Sequence, residues 1–157
     1  MIADRRAHGE LTTFFTDREG GVSEGSFSSF NLGLFSGDER SCVERNRALL
    51  CGRLGIPPEN LFVPNEVHGN RVMVIDHDSP LIPMAERDEL FKCDALVTTC
   101  RNVCLGVTVA DCVPVLFYDE AHQVIAAAHA GWKGIVSDVL GETVKRMCEI
   151  SSVAPSD

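Results

Sequence analysis

Two apolar β-like runs, Val113 to Tyr118 and Gln123 to Ala128, flank the polar tetrapeptide Asp119-Glu120-Ala121-His122, and this stretch constrains the fold more than any other. Apolar runs joined by four polar residues specify an antiparallel hairpin. If the loop closes over those four residues, Tyr118 faces Gln123, and Cys112 lies directly opposite His129. Directly opposed residues have Cβ atoms about 4.5–5.5 Å apart, so a thiolate and an imidazole at these positions share one ion. Pro114 has no N–H to give to a ladder, which places its strand at a sheet margin. Ala130 and Gly131 follow His129 and leave space beside its ring.

The rest of the chain alternates short strands with two helices. Leu11 to Thr16, Leu61 to Val63, Val72 to Ile75, Cys93 to Thr99 and Val103 to Val109 read as strands. From Asp38 to Leu54 the period is helical, with Val43, Leu50 and Leu54 joined by Leu49 in an apolar stripe, Ser36 or Asp38 available as N-cap, and Gly55 as C-cap. A second helix is expected after Gly131-Trp132-Lys133-Gly134, with Val136, Val139, Leu140, Val144 and Met147 on one face. Asp76 to Lys92, polar and carrying Pro80 and Pro83, reads as a mobile loop. The expectation is a single domain over 1–157. Ser151 to Asp157 reads as a connector, the ending of a C-terminally truncated chain.

Three residues stand out for metal chemistry. Imidazole and thiolate are preferred zinc ligands, and to Cys112 and His129 the sequence adds His68, which has an analogous His-Gly step in Glu66-Val67-His68-Gly69. Two histidines, one cysteine and an open fourth position make a catalytic zinc site, with the pKa of bound water lowered to about 7. Asp111 orients a ligand, caps a turn or serves as a base. Cys112 as nucleophile with His129 as its base is the competing reading, and it requires an orienting Asp or Asn in place of His68. Gly20-Gly21, flanked by Arg18 and Ser23, has the make-up of an anion cradle or of an ordinary turn. His8, His77 and His122 sit in polar surroundings and are expected at the surface.

Composition excludes several classes. A formal net charge of −9 and a pI near 4.9 oppose binding to nucleic acid or anionic membranes. No apolar run reaches the roughly 18 residues of a membrane span, and the first residues lack a secretory core, so the expected compartment is the cytoplasm. Seven cysteines, without paired CxxC spacing, signal neither a disulfide scaffold nor a zinc knuckle.

Several motifs together resemble the laccase-domain family, also called multicopper polyphenol oxidase-like proteins, purine nucleoside phosphorylases and peptidoglycan editing factors. These are EVHGNRV around His68-Gly69, CDALVTT from Cys93, ADCVPVLFYD from Ala110 and HAGWKG from His129, with Gly20-Gly21-Val22-Ser23, Asn31-Leu32-Gly33 and Glu44-Arg45-Asn46-Arg47 upstream. The resemblance implies an α/β layered sandwich with mixed sheets and one zinc ion on His68, Cys112 and His129. It also implies zinc-dependent phosphorolysis of adenosine, inosine and methylthioadenosine, with purine nucleoside and phosphate as partners and adenosine deamination as a further activity. Asp111 joins Cys112 and His129 as a catalytic candidate, and Arg18, Ser23 and Asn31 are candidates for substrate or phosphate contacts. Two departures stand out: Glu66 occupies a position where the family usually has Gln, and family members continue well past the HAGW helix. The alternatives are a cysteine hydrolase or amidase acting on a peptidoglycan precursor, and a polyphenol oxidase, for whose several copper sites five histidines are too few.

Overall fold

The computed structural model describes residues 2–82, 86–87 and 90–152. Its backbone falls into two compact units, Met1–Gly55 and Ile56–Asp157.

The first unit opens with an antiparallel pair, β1 (Ile2–His8) and β2 (Leu11–Thr16), turning at Gly9. The strand β1 was not legible in the sequence because Arg5 and Arg6 interrupt any apolar alternation; both are exposed. Helix α1 spans Arg40–Leu54 and ends where Gly55 adopts φ 69°, a left-handed cap that glycine favours. Neither expected N-cap acts as one: Glu39 holds that place without a side-chain cap bond. The buried face of α1 is Val43, Asn46, Arg47, Leu50 and Cys51, whereas Leu49 is exposed.

Asn46 explains why a polar residue lies inside. Its Oδ1 accepts from Val22 N, and its Nδ2 donates to Ser23 Oγ and to the carbonyls of Ser29 and Asn31. One amide thus ties two loop segments to the helix. Gly21 lies against the same segment, where any Cβ would collide with the Ser29 carbonyl and the Phe30 backbone. The glycine is required by close approach.

The second unit contains β3 (Leu61–Phe62), β4 (Val72–Ile75), β5 (Ala95–Thr98), β6 (Cys104–Leu105), β7 (Val113–Asp119) and β8 (Val124–Ala130), followed by α2 (Trp132–Val136) and α3 (Val139–Ser151). A four-stranded sheet has the order β4-β5-β8-β7, and β3 pairs with β6 separately. The larger sheet is mixed: β4 runs parallel to β5, while β5–β8 and β8–β7 are antiparallel. Alternate residues of β5 face opposite layers, as the strand period demands. Ala95 and Val97 pack with Ala126, Ala128, Val139 and Met147 on the α3 side. Leu96 joins Phe62, Ile75, Phe91 and Cys93 on the other. The fold is mixed α/β in layers, as expected.

The hairpin forms with a different register. Asp119 pairs with Val124 and Pro114 with His129, so the loop is 120–123, one residue further on than the sequence suggests. Asp119 drives the difference: its carboxylate accepts from His122 N and lies 2.8 Å from His122 Nδ1, which draws Asp119 into the strand, and Gln123 closes the turn at φ 55°. Cys112 is therefore not directly opposite His129. The slip moves the pairing by two positions and so preserves the face each side chain occupies. β7 ends the sheet order, in keeping with Pro114.

Two further expectations are corrected. The helix after Gly131 is broken, because Asp138 takes φ 65° and caps α3 through Gly141 N; Val136 is 80% exposed and leaves the apolar face. Within Asp76 to Lys92, Arg87 is buried. It donates to the carbonyls of Glu59, Ser79, Pro80 and Ile82 and lies over the Phe62 ring, so the segment is anchored there. Pro83 and the closing residues 153–157 lie outside the described residues. So does the side chain of His8, while His77 and His122 are exposed. No helix among the described residues is long and apolar enough to cross a membrane.

Candidate metal centre

Four chain segments meet at one end of the larger sheet. His68 precedes β4, Asp94 precedes β5, Cys112 precedes β7 and His129 lies near the end of the antiparallel β8. This topology gathers residues far apart in sequence: the donor atoms of His68, Cys112 and His129 all lie within 4.8 Å of one another. The two imidazole rings sit edge to face, with centroids 4.9 Å apart. Donors on one tetrahedral zinc ion lie roughly 3.3–3.8 Å apart, given bond lengths of about 2.0–2.3 Å, so the set needs only a small contraction to close on an ion. Two imidazoles and a thiol fit zinc by type and number. It is the one such three-residue cluster among the described residues.

Asp94 organises this cluster, and sequence reasoning missed it. Fully buried, its Oδ1 accepts from His68 N at 2.7 Å and its Oδ2 from Gly69 N at 2.8 Å. His68 has φ 59°, a left-handed conformation costing a β-carbon residue about 1–2 kcal/mol; the two bonds to one carboxylate hold it there. Asp94 Oδ1 also lies 3.1 Å from His129 Nδ1. A carboxylate accepts, so Nδ1 carries the proton and Nε2 presents its lone pair to an ion, the usual way a carboxylate orients a ligating histidine. The Asp94 carbonyl accepts from His129 N at 2.7 Å. The local signal was an acid before an all-apolar strand, but its meaning depends on the β5–β8 pairing, which no local pattern supplies.

Glycines shape the cavity. A Cβ on Gly131 would lie 3.0 Å from Cys112 Sγ, 3.4 Å from His68 Cδ2 and 3.5 Å from His129 Cε1, inside the cluster. A Cβ on Gly134 would lie 3.0 Å from the Gly69 carbonyl, so α2 approaches the His68 loop only because that position is bare. Gly131 has φ −71° and ψ 161°, which alanine adopts freely. Gly131→Ala is therefore expected to fold, to cost about 1–3 kcal/mol for overpacking, and to weaken metal binding by a His–Cys–His set on the order of tenfold by displacing Cys112. Chelator competition alongside urea unfolding reads both effects.

The cluster lies in an acidic field. Desolvation raises the Cys112 thiol pKa above its ordinary value; the Asp111 carboxylate, whose Oδ1 accepts from Sγ at 3.7 Å, raises it further, as do the charges of Glu66 and Asp94. A thiol held protonated is a poor unaided nucleophile, whereas a cation at this point relieves the repulsion. The discriminator between metal and thiol chemistry, His68 against an orienting acid, returns both residues; the raised thiol favours metal. Burial pushes the Glu66 carboxyl up as well, opposed by its two bonds from Thr108. Cys93, buried beside Asp94, is pushed up to about 12. None of the seven cysteines is joined in a disulfide.

The other candidates belong to the first unit. Ser23 is buried and bonded to Asn46. Asn31 Nδ2 donates to Ser36 Oγ and Asp38 Oδ2, and Arg18, exposed, donates to the carbonyls of Ser26 and Ser28. The N–H groups of Gly21, Val22 and Ser23 are all taken by Ser29 and Asn46, so the Gly-Gly loop is a bonded turn and not an anion cradle.

These features define a layered mixed α/β protein with a His–Cys–His site of metal-binding type at one end of its sheet. The chain belongs to the family described as multi-copper polyphenol oxidoreductase laccase, which it matches over residues 12–157. It is 39% identical over 142 residues to a purine nucleoside phosphorylase of Bacteroides thetaiotaomicron, covering 90% of this chain and 53% of that protein. To a purine nucleoside phosphorylase of Streptomyces coelicolor it is 41% identical over 152 residues, covering 97% and 60%. Among solved structures, the Bacillus licheniformis hypothetical protein YfiH superposes with a TM-score of 0.83 at 29% identity, covering 93% and 55% of the two chains. YlmD of Geobacillus stearothermophilus gives 0.78 at 32% identity, covering 88% and 52%. The chain spans little more than half the length of these relatives.

Proposed function

We propose that the chain, as one catalytic domain over 1–157, acts in the cytoplasm as a zinc-dependent purine nucleoside phosphorylase. Its substrates are adenosine, inosine and methylthioadenosine with phosphate, and adenosine deamination is a further activity. The observation that carries this reading is the convergence of His68, Cys112 and His129 on one point, and the names of the relatives supply the substrate class. Zinc held by these residues would supply a Lewis acid at the open position.

The chain's own residues do the rest. Asp94 fixes the tautomer and orientation of His129 and holds His68 in its left-handed conformation. Asp111 Oδ1 accepts the Cys112 S–H and so stands on the path by which that proton leaves to solvent when sulfur ligates. Gly131 keeps the centre of the site open. Phosphorolysis joins phosphate to the ribose anomeric carbon and releases the base, while deamination replaces the exocyclic amine with the oxygen of water and releases ammonia, so one site either binds the nucleoside in two poses or uses the zinc differently in the two reactions. Arg18, Ser23 and Asn31 are candidates for substrate or phosphate contacts, and the bonds of all three also shape their loops.

A direct consequence is coupling to pH. The raised Cys112 pKa means that metal-free protein carries the thiol proton at neutral pH, and that proton must leave on binding. Zinc affinity is therefore expected to rise about tenfold per pH unit below the thiol pKa, and to fall as pH drops. Calorimetry in buffers of different ionisation enthalpy should record about one proton released per zinc near pH 7; no release would contradict thiolate ligation. Phosphate-dependent release of purine from inosine, lost on chelation and restored by zinc, tests the activity. Metal-independent cleavage, blocked by alkylating Cys112, would instead establish the thiol hydrolase.

A further inference from the structure

Glu66 lies two residues before His68, yet its carboxylate faces Thr108. Thr108 N donates to Oε1 at 2.6 Å and Thr108 Oγ1 to Oε2 at 2.7 Å, so each oxygen takes one bond from the same residue. Thr108 lies within the irregular run 106–112, which begins where Gly106 N donates to the Phe62 carbonyl and ends at Cys112. The run has no strand or helix to fix it, and Glu66 ties it at mid-length to the segment that carries His68. The two ligands that come from loops, His68 and Cys112, are thus linked through one carboxylate, while the third, His129, is held by a strand.

We propose that Glu66 is a positioning residue that sets the distance between the His68 and Cys112 loops through its paired bonds to Thr108. The proposal rests on the metal-centre reading above, and it makes the acid a clamp and not a ligand. Gln fits the same role: its Oε1 accepts from Thr108 N while its Nε2 donates to Thr108 Oγ1. Ala leaves the Thr108 N–H and hydroxyl without these partners and frees the loop.

The test uses the full chain and its Glu66→Gln, Glu66→Ala, Thr108→Val and Glu66→Ala/Thr108→Val variants, with urea unfolding of the metal-free proteins to establish that each folds. Zinc affinity is measured by chelator competition, and Cys112 alkylation by iodoacetamide is followed in metal-free protein by mass spectrometry. Glu66→Ala is expected to weaken zinc binding about 10–100-fold and to speed Cys112 alkylation by about fivefold or more as the loop opens. Glu66→Gln should stay within about threefold of the parent in both, and the double variant should fall little below Glu66→Ala, because both changes cut one linkage. Alkylation and zinc affinity in Glu66→Ala within about twofold of the parent overturn the clamp, as do effects of the two single changes that simply multiply. The two readings separate: a parent chain that binds no zinc but shows the alkylation response keeps the clamp and removes the metal centre. Normal zinc binding with no response to Glu66→Ala does the reverse.

Discussion

Asp94→Ala is expected to destabilise the metal-free protein by about 3–5 kcal/mol, a cost assembled from three donors left without their acceptor at about 1–3 kcal/mol each. Those donors are His68 N, Gly69 N and His129 Nδ1. Removing the desolvation cost of a fully buried carboxylate offsets part of the loss, which keeps the total below the sum. Asp94→Asn retains the shape and one acceptor, but its amide must point at one of the same donors, so about 1–2 kcal/mol is expected. Zinc affinity falls about 10–100-fold in Asp94→Ala, because His129 loses the group that fixes its tautomer, and less in Asp94→Asn, whose remaining oxygen can still face His129 Nδ1. Urea unfolding of the metal-free chain and chelator competition measure the two losses separately. A change of under about 1 kcal/mol for Asp94→Ala would remove Asp94 from the centre of the account.

Cys112→Ala has the opposite signature. The side chain is only partly buried and stands among carboxylates, so the metal-free fold should change little. Zinc binding, however, loses one ligand of three. If about 10–16 kcal/mol is shared among the ligands of a complete site, one ligand accounts for about 3–4 kcal/mol, or roughly 10²–10³ in affinity. Phosphorolysis should disappear with it at micromolar zinc. His129→Ala should match it in affinity but cost more stability, since His129 is 3% exposed and bonded to Asp94. Equal zinc binding by the parent and Cys112→Ala would return the cysteine to a nucleophilic or merely structural role.

Much of this was legible in the sequence wherever the information is local. Alternation and polar breaks located β2, β3, β4, β5 and the hairpin, and Gly55 marked the end of α1. The ligand types were readable because His-Gly and His-Ala-Gly steps leave space beside a ring. What failed was local geometry set by side chains: Asp119 moved the hairpin loop, and Asp138 broke the last helix by capping it. What was invisible was non-local. Asp94 matters because β5 pairs with β8, placing it against His129, and because the parallel β4–β5 pair starts beside the His68 loop. Asn46 looked like one polar interruption of a helix stripe; its four bonds to the loop segments appear only once the chain has folded back. The slip of two positions left Cys112 on the face of His129, so the two side chains still meet despite the incorrect register.

The central claim is that three ligands hold one zinc ion on which nucleoside phosphorolysis depends. The measurement that bears on it most directly is zinc content per chain, taken together with phosphate-dependent formation of ribose 1-phosphate from inosine, for the parent and for the His68→Ala/Cys112→Ala/His129→Ala variant. The account predicts about one zinc per parent chain, activity that follows zinc through chelation and restoration, and neither zinc nor activity in the variant. Stoichiometric zinc in the variant, or phosphorolysis undiminished in metal-free parent protein, would contradict it.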